Sequence, residues 1–144
     1  MKVELPQVQA ENINPSRAKF EIPLCGDWLN SNQRLHWAPK ANLVRRWRSA
    51  AYFVGRNAKA AFTEQVDIVA VVHKRKTTTR YDPHNLMPTV KPAIDGLVQA
   101  GVLTDDDTKA VRRVSIEAGS PDQLRPGLTL IITTVGGTEQ EEQA

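Results

Sequence analysis

Hydrophobic and polar residues alternate along the chain in segments that predict four β-strands. Residues 19–24 place apolar side chains at every second position, and Pro23 favours an edge strand or a strand end. The runs 65–73, 110–118 and 127–135 are rich in β-branched residues and are predicted as the other three strands. A sheet of three or four strands is therefore expected.

Two further segments have the three- and four-residue spacing of helices. Residues 41–62 gather an apolar arc around Trp47 and carry basic side chains on the opposite face. A second helix is predicted at 90–100, with Thr89 as its cap and Pro92 in the first turn, where a missing N–H is harmless. These two helices complete the predicted set of elements.

The order strand, helix, strand, helix, strand, strand predicts an α+β (mixed α/β) fold, in which two helices pack against a mixed sheet. A length of 144 residues suits one domain. We assign residues 18–136 to that domain, 1–17 to a flexible leader and 137–144 to an acidic disordered tail.

Cysteine content and hydropathy favour a cytoplasmic protein. Cys25 is the only cysteine, so no internal disulfide can form, and we expect it to be a small apolar residue rather than a nucleophile. No apolar run approaches the roughly 18 residues that a membrane span needs, and the first residues lack the apolar core of a signal peptide. No membrane partner is expected.

Positive charge is concentrated in one part of the chain. The net charge is only +3, but residues 34–80 contain eleven basic side chains and two acidic ones. Such a concentration indicates a polyanionic partner such as nucleic acid. A solvated basic helix face would give the same pattern.

Acidic residues follow the second strand and the second helix. Asp82 comes after the first of these, and the acidic triplet 105–107 comes after the second. If the two points converge, a divalent cation is the usual means of keeping several carboxylates ionised together, and oxygen ligands favour Mg²⁺ or Mn²⁺. Solvated turn residues would explain the same aspartates without a metal.

The segment 82–107 reads D-x-x-N-L-x-P-T-x-K-x-x-I-D-G-L-x-x-A-G-V-L-x-D-D-D, and residues 31–40 read S-N-Q-R-L-H-W-A-P-K. Both resemble segments of the RusA family of crossover-junction endodeoxyribonucleases (Holliday-junction resolvases), in the form found in phages and actinobacteria. The matches span about residues 30–108, and the predicted element order extends the resemblance to residue 135.

The resemblance implies a role for each acidic position. The family's metal-binding carboxylates correspond to Asp82 and Asp106, with Asp105 beside the latter, and its catalytic lysine corresponds to Lys91. Asp95 corresponds to the aspartate four residues after that lysine. An ordinary ion pair between Lys91 and Asp95 would explain their spacing equally well.

One position departs from the family. A second carboxylate is expected two residues after Asp82, where this chain has His84. Histidine could ligate the metal, act as a general base, or leave the site impaired; we favour a role near the metal. Asn85 could orient the metal-binding residues by hydrogen bonding to them, or it could start a turn.

The resemblance also implies a DNA-binding surface. Asn30 and Trp37 lie in the N-terminal loop; Asn30 could touch phosphates or hydrogen-bond within the loop, and Trp37 could stack on an exposed base, although packing is the commoner fate. The residues that we expect to bind DNA are Asn32, Arg34, His36, Lys40, Arg45, Arg48, Lys74, Lys76 and Arg80.

The function implied is a homodimeric, Mg²⁺-dependent endonuclease, with Mn²⁺ as a substitute and no organic cofactor. It would make paired, symmetric nicks in four-way DNA junctions during recombination or repair, in a bacterial or phage-infected cell. The alternatives are a branched-DNA-binding protein impaired by His84, a general or flap nuclease, and a basic interaction protein without enzymatic activity.

Overall fold

A computed structural model describes residues 14–76 and 80–136. Four strands and two α-helices follow the predicted order, and a short 3₁₀ turn precedes the second helix. The elements are β1 (Arg17–Pro23), α1 (Trp37–Ala58), β2 (Val66–His73), the 3₁₀ turn (Pro83–Leu86), α2 (Met87–Gln99), β3 (Val111–Ala118) and β4 (Gly127–Thr134).

The four strands form one mixed sheet in the order β1-β4-β2-β3. β2 and β3 are parallel, and α2 lies in the crossover between them, whereas β4 pairs antiparallel with both β1 and β2. The predicted mixed sheet with two helices is therefore confirmed. β1 lies at an edge, as Pro23 predicts, because a residue without an N–H is tolerated there.

The hydrophobic core lies on one face of the sheet. Alternate residues of the central strands, such as Ile68 and Leu130, are buried there, while their neighbours on the other face stay partly exposed. Trp47 of α1 is fully buried, as predicted, and its indole N–H donates to the Asp27 carbonyl at 2.9 Å. The alternation gives this protein one helix-covered face and one open face.

The two helices approach each other closely at Gly96. A Cβ atom at this position would lie 2.3 Å from the carbonyl oxygen of Arg48 and 2.9 Å from the Cβ of Ala51. No side chain fits in that space, so the contact requires glycine.

Both helices begin earlier than predicted. α1 covers residues 37–58 rather than 41–62; Pro39 fits within its first turn, and Lys59 ends it in the left-handed conformation, with φ of 57°. α2 begins at Met87, so Thr89 is not its cap. Pro88 occupies the first-turn position predicted for Pro92, which lies inside the helix.

The predicted leader and tail fall largely outside the described part of the chain, at residues 1–13 and 137–144, and so do residues 77–79 of the basic loop. β1 begins at Arg17, which was assigned to the leader, and the Asn14 N–H donates to the Ala61 carbonyl. Among the described helices, none has the length and apolarity needed to cross a membrane.

Candidate functional site

Asp82 and His84 form a pair at the start of the 3₁₀ turn. The Oδ1 atom of Asp82 accepts the His84 backbone N–H at 3.0 Å and lies 3.3 Å from the His84 Nδ1 atom. Aspartate is a favoured residue at such a position because its carboxylate satisfies a backbone donor. The side chains are 59% and 78% exposed, so solvent and ligands can reach both.

Lys91 lies between two carboxylates. Its Nζ atom donates to Asp95 Oδ1 at 2.8 Å, one turn along α2, and to Asp106 Oδ2 in the loop after the helix. The hydrogen bond with Asp106, followed by that with Asp95, raises the pKa of Lys91. The same hydrogen bond from Lys91 lowers the pKa of Asp106, so the pair is ionised at neutral pH.

The three aspartates of the acidic triplet make different contacts. Asp105 Oδ1 accepts the Asp106 N–H at 2.7 Å, which fixes the backbone beside Lys91. Asp107 Oδ1 accepts the N–H groups of Lys109 and Ala110, each at 3.1 Å, at the entrance to β3. The interpretation as a simple turn residue therefore fits Asp107, whereas Asp106 points to a lysine.

The carboxylates form two groups rather than one closed cluster. Within residues 14–76 and 80–136, no three His, Cys, Asp or Glu side chains lie close enough together to hold a metal ion. The donors suit Mg²⁺ or Mn²⁺ in chemical type, because they are mainly exposed carboxylate oxygens. The ligand set inferred from the resemblance stays a prediction: Asp82, His84, Asp105 and Asp106.

Four hydrogen bonds connect the N-terminal loop, which lies between β1 and α1, to the candidate site. The buried Thr89 hydroxyl donates to the Leu29 carbonyl at 2.7 Å and accepts the Leu29 N–H at 2.8 Å. The Ser31 N–H and hydroxyl donate to the Asn85 carbonyl at 2.8 and 3.2 Å. Sequence reasoning missed these contacts because their partners lie more than fifty residues apart, and Asn85 contributes through its backbone.

The loop itself is held by its own side chains. Asn30 Oδ1 accepts the Asn32 N–H at 2.8 Å, while Gln33 accepts the Asn30 N–H and donates to the Trp28 carbonyl at 3.0 Å. Asn30 thus has the local role that we considered as an alternative to phosphate contact. The side chain of Asn32 remains exposed, and its DNA contact stays a prediction.

The predicted DNA-binding residues are mostly at the surface. Arg48 and Lys74 are partly buried, and the Lys74 Nζ atom lies 4.0 Å from the centre of the Tyr81 ring, a cation–π contact. Of the two alternatives considered for Trp37, packing under the loop does not occur, because the side chain is 82% exposed. The exposed members of the set are Asn32, Arg34, His36, Lys40, Arg45, Lys76 and Arg80.

Cys25 behaves as a small, partly buried residue. Burial raises the pKa of its thiol to about 11, against a smaller opposing effect of Arg46. A thiol in that range is protonated at neutral pH and is a poor nucleophile.

No protein-family model matches the chain. Among curated proteins, none gives a significant match. Membership of the RusA family therefore stays a prediction that rests on the residues of the two motifs.

Proposed function

We propose that the protein is a divalent-cation-dependent endonuclease that cuts four-way DNA junctions, as the RusA resemblance implies. The observation that carries this proposal is the contact of Lys91 with both Asp95 and Asp106. Three residues of the sequence motif are thus in contact at the surface, although Lys91 and Asp106 lie 15 residues apart along the chain. Asp82 and His84 lie just before the same helix.

The candidate residues would have two roles, metal binding and phosphate binding. Asp82, Asp105 and Asp106, with His84, would hold Mg²⁺ or Mn²⁺. The ion, when bound, would polarise a phosphoryl oxygen and lower the pKa of a bound water. Two of the three ammonium hydrogens of Lys91 bond to the carboxylates, which leaves one for a phosphate oxygen of the substrate. Its raised pKa keeps that donor charged.

The basic residues supply the DNA-binding surface. The N-terminal loop and the first turns of α1 carry exposed Arg34, His36, Lys40 and Arg45, and the loop is hydrogen-bonded to Asn85 near the candidate site. Cations at the surface bind phosphates without reading sequence. Fastening the loop to the site would place the bound backbone at a fixed position relative to Lys91.

A homodimer fits this substrate, because a four-way junction presents two symmetric phosphates. The open face of the sheet is the surface that we propose for the second copy. Lys19, Ile131, Val69 and Ser115 form one row across its four strands. Four strands of about eight residues span roughly 500 Å² on each copy, near the lower limit for a specific dimer. The segment after β3 borders one end of this face, where Gly119 and Ser120 lie against His73.

Charges on the open face are complementary to themselves. Arg17 and Glu21 lie two residues to either side of the row on β1, and Arg113 and Glu117 do so on β3. A two-fold axis along the row places each arginine opposite the glutamate of the second copy. Ile131 and Val69 then meet their own counterparts at the centre, so the face can pair isologously. Lys19, exposed on the edge strand, also meets its own counterpart, a like-charge contact that the arginine–glutamate pairs must outweigh.

Replacing Ile131 with lysine is expected to dissociate the dimer, because two more like charges would meet on the axis beside the two Lys19 side chains. Sedimentation velocity should give twice the 16.0 kDa chain mass for the wild type at tens of micromolar, and one chain mass for the variant. Phe53→Lys is the control, since Phe53 is 63% exposed on the helical side. A monomeric wild type, or a dimeric Ile131→Lys protein, would contradict the proposed surface.

The proposed activity is tested with a labelled four-way junction and the corresponding linear duplex, each in Mg²⁺, Mn²⁺ and EDTA. We expect paired nicks in the junction only, and only with a divalent ion. Equal cutting of the linear duplex would indicate a general nuclease. DNA binding that ignores branching, without product, would indicate a basic interaction protein.

Junction binding without product is the result expected of the impaired binder. The substitution His84→Asp then distinguishes an impaired nuclease from a protein that only binds DNA, because it supplies the carboxylate that the family has at this position. A gain of cleavage would identify a RusA-like site disarmed by histidine. Continued absence of product in both metals would refute the nuclease proposal.

A further inference from the structure

The three tryptophans have contrasting environments. Trp47 is fully buried, and Trp28 packs against it with ring centroids 5.3 Å apart. Trp37 is 82% exposed. An indole is the largest apolar surface that a single side chain can present, and here it projects into solvent.

Trp37 is presented from an ordered support. It is the first residue of α1 and directly follows the N-terminal loop. That loop is joined to the candidate site at Leu29 and Ser31, through the hydrogen bonds with Thr89 and Asn85. The ring is therefore displayed from the start of α1, six residues after the point at which the loop is fastened to Asn85.

The surroundings of Trp37 are entirely without negative charge in the sequence. Residues 28–63 contain no aspartate or glutamate, and Arg34 and Lys40, each three residues from Trp37 in the sequence, are exposed. An exposed aromatic ring in a basic segment matches single-stranded nucleic acid, in which bases stack on aromatic faces while phosphates meet basic residues. The charge complementarity selects a polyanion as the occupant.

We propose that Trp37 is a stacking platform for an unpaired nucleobase of DNA. The inference rests on the proposed function to the extent that DNA is the partner, and it adds a base-recognition site that acts independently of catalysis. A base that is free of its partner strand exposes the face that the indole needs. Fully paired duplex has no such face away from its ends.

The test measures binding in EDTA, so that it does not depend on cleavage. The probes are an oligothymidine single strand, a junction with two unpaired thymines at its branch point, and a blunt duplex. Trp37→Ala should weaken binding to the first two by about 5- to 100-fold and to the duplex by less than about twofold. Trp37→Phe, which keeps an aromatic face, should retain most of the affinity.

Tryptophan fluorescence provides a second measurement. Oligothymidine should quench the wild-type emission but leave the emission of Trp37→Phe nearly unchanged, because Trp47 is buried and the partly buried Trp28 packs against it. Polyglutamate is the control polyanion. Quenching of equal size by polyglutamate, or equal loss of duplex and single-strand affinity in Trp37→Ala, would overturn the stacking proposal.

The outcomes separate this inference from the proposed function. Trp37-dependent quenching, with no divalent-dependent cleavage by the wild type or by His84→Asp, would support the stacking platform and refute the nuclease. Equal cleavage rates in the wild type and Trp37→Ala, with no quenching by oligothymidine, would support the nuclease and refute the stacking platform. A wild type that binds none of the probes would overturn both.

Discussion

Asp106→Asn is expected to lower divalent-dependent junction cleavage by about 10³-fold, the scale on which loss of one group that stabilises the reacting charge acts. The substitution removes one of the proposed metal-binding carboxylates and one of the hydrogen-bond partners of Lys91, while the side chain at position 106 keeps almost the same size. Asp106 is an exposed side chain, so the fold should be nearly as stable as before. Single-turnover cleavage of the labelled junction gives the rate.

Asp107→Asn is the matched control for this substitution. It makes the same change of charge one residue away, and asparagine keeps the Oδ1 acceptor that the Lys109 and Ala110 N–H groups use. We expect its cleavage rate to stay within a few-fold of the wild type. Equal losses in the two variants would mean that the loop acts only through its total charge, and the role proposed for Asp106 would be wrong.

Gly96→Ala is expected to destabilise the protein by about 3 kcal/mol, at the upper end of overpacking costs. Alanine in a helix is favoured over glycine by about 1 kcal/mol, but here its methyl group would lie 2.3 Å from the Arg48 carbonyl oxygen. A backbone atom cannot turn aside as a side chain does, so the two helices must separate. Urea denaturation of the variant and wild type measures the difference.

Gly136→Ala is the control, because no atom of residues 14–76 or 80–136 lies within 4 Å of a Cβ at that position. Its free energy of unfolding should differ from that of the wild type by less than about 0.5 kcal/mol. An unchanged or raised stability for Gly96→Ala would show that the helices have room to adjust and that helix propensity outweighs the close contact.

The types and order of the elements could be predicted from the sequence, because period-two and helical patterns depend on near neighbours. The residues at which the helices begin could not be predicted as well. Two prolines, Pro88 and Pro92, could each begin α2, and the sequence offers no local means of choosing. The structure selects Pro88, since Thr89 is used to bind the Leu29 backbone instead of capping the helix.

For the candidate site, the sequence indicated a set of candidate residues but not how their side chains contact one another. The pairing of Lys91 with Asp95 follows from helical spacing and is confirmed. The contact with Asp106 depends on the path of the loop after α2, and the exposure of Trp37 depends on where α1 begins. Both are decided by tertiary packing, which residue spacing does not determine.

The position of β4 has a consequence for synthesis. This strand is the last of the four along the chain, yet it lies between β1 and β2 and provides the only described link of β1 to the sheet. The sheet therefore cannot close until residue 134 has left the ribosome, and earlier nascent chains leave β1 without a strand partner. Such long-range closure is slow, so completion of the fold should follow translation of this segment rather than accompany it.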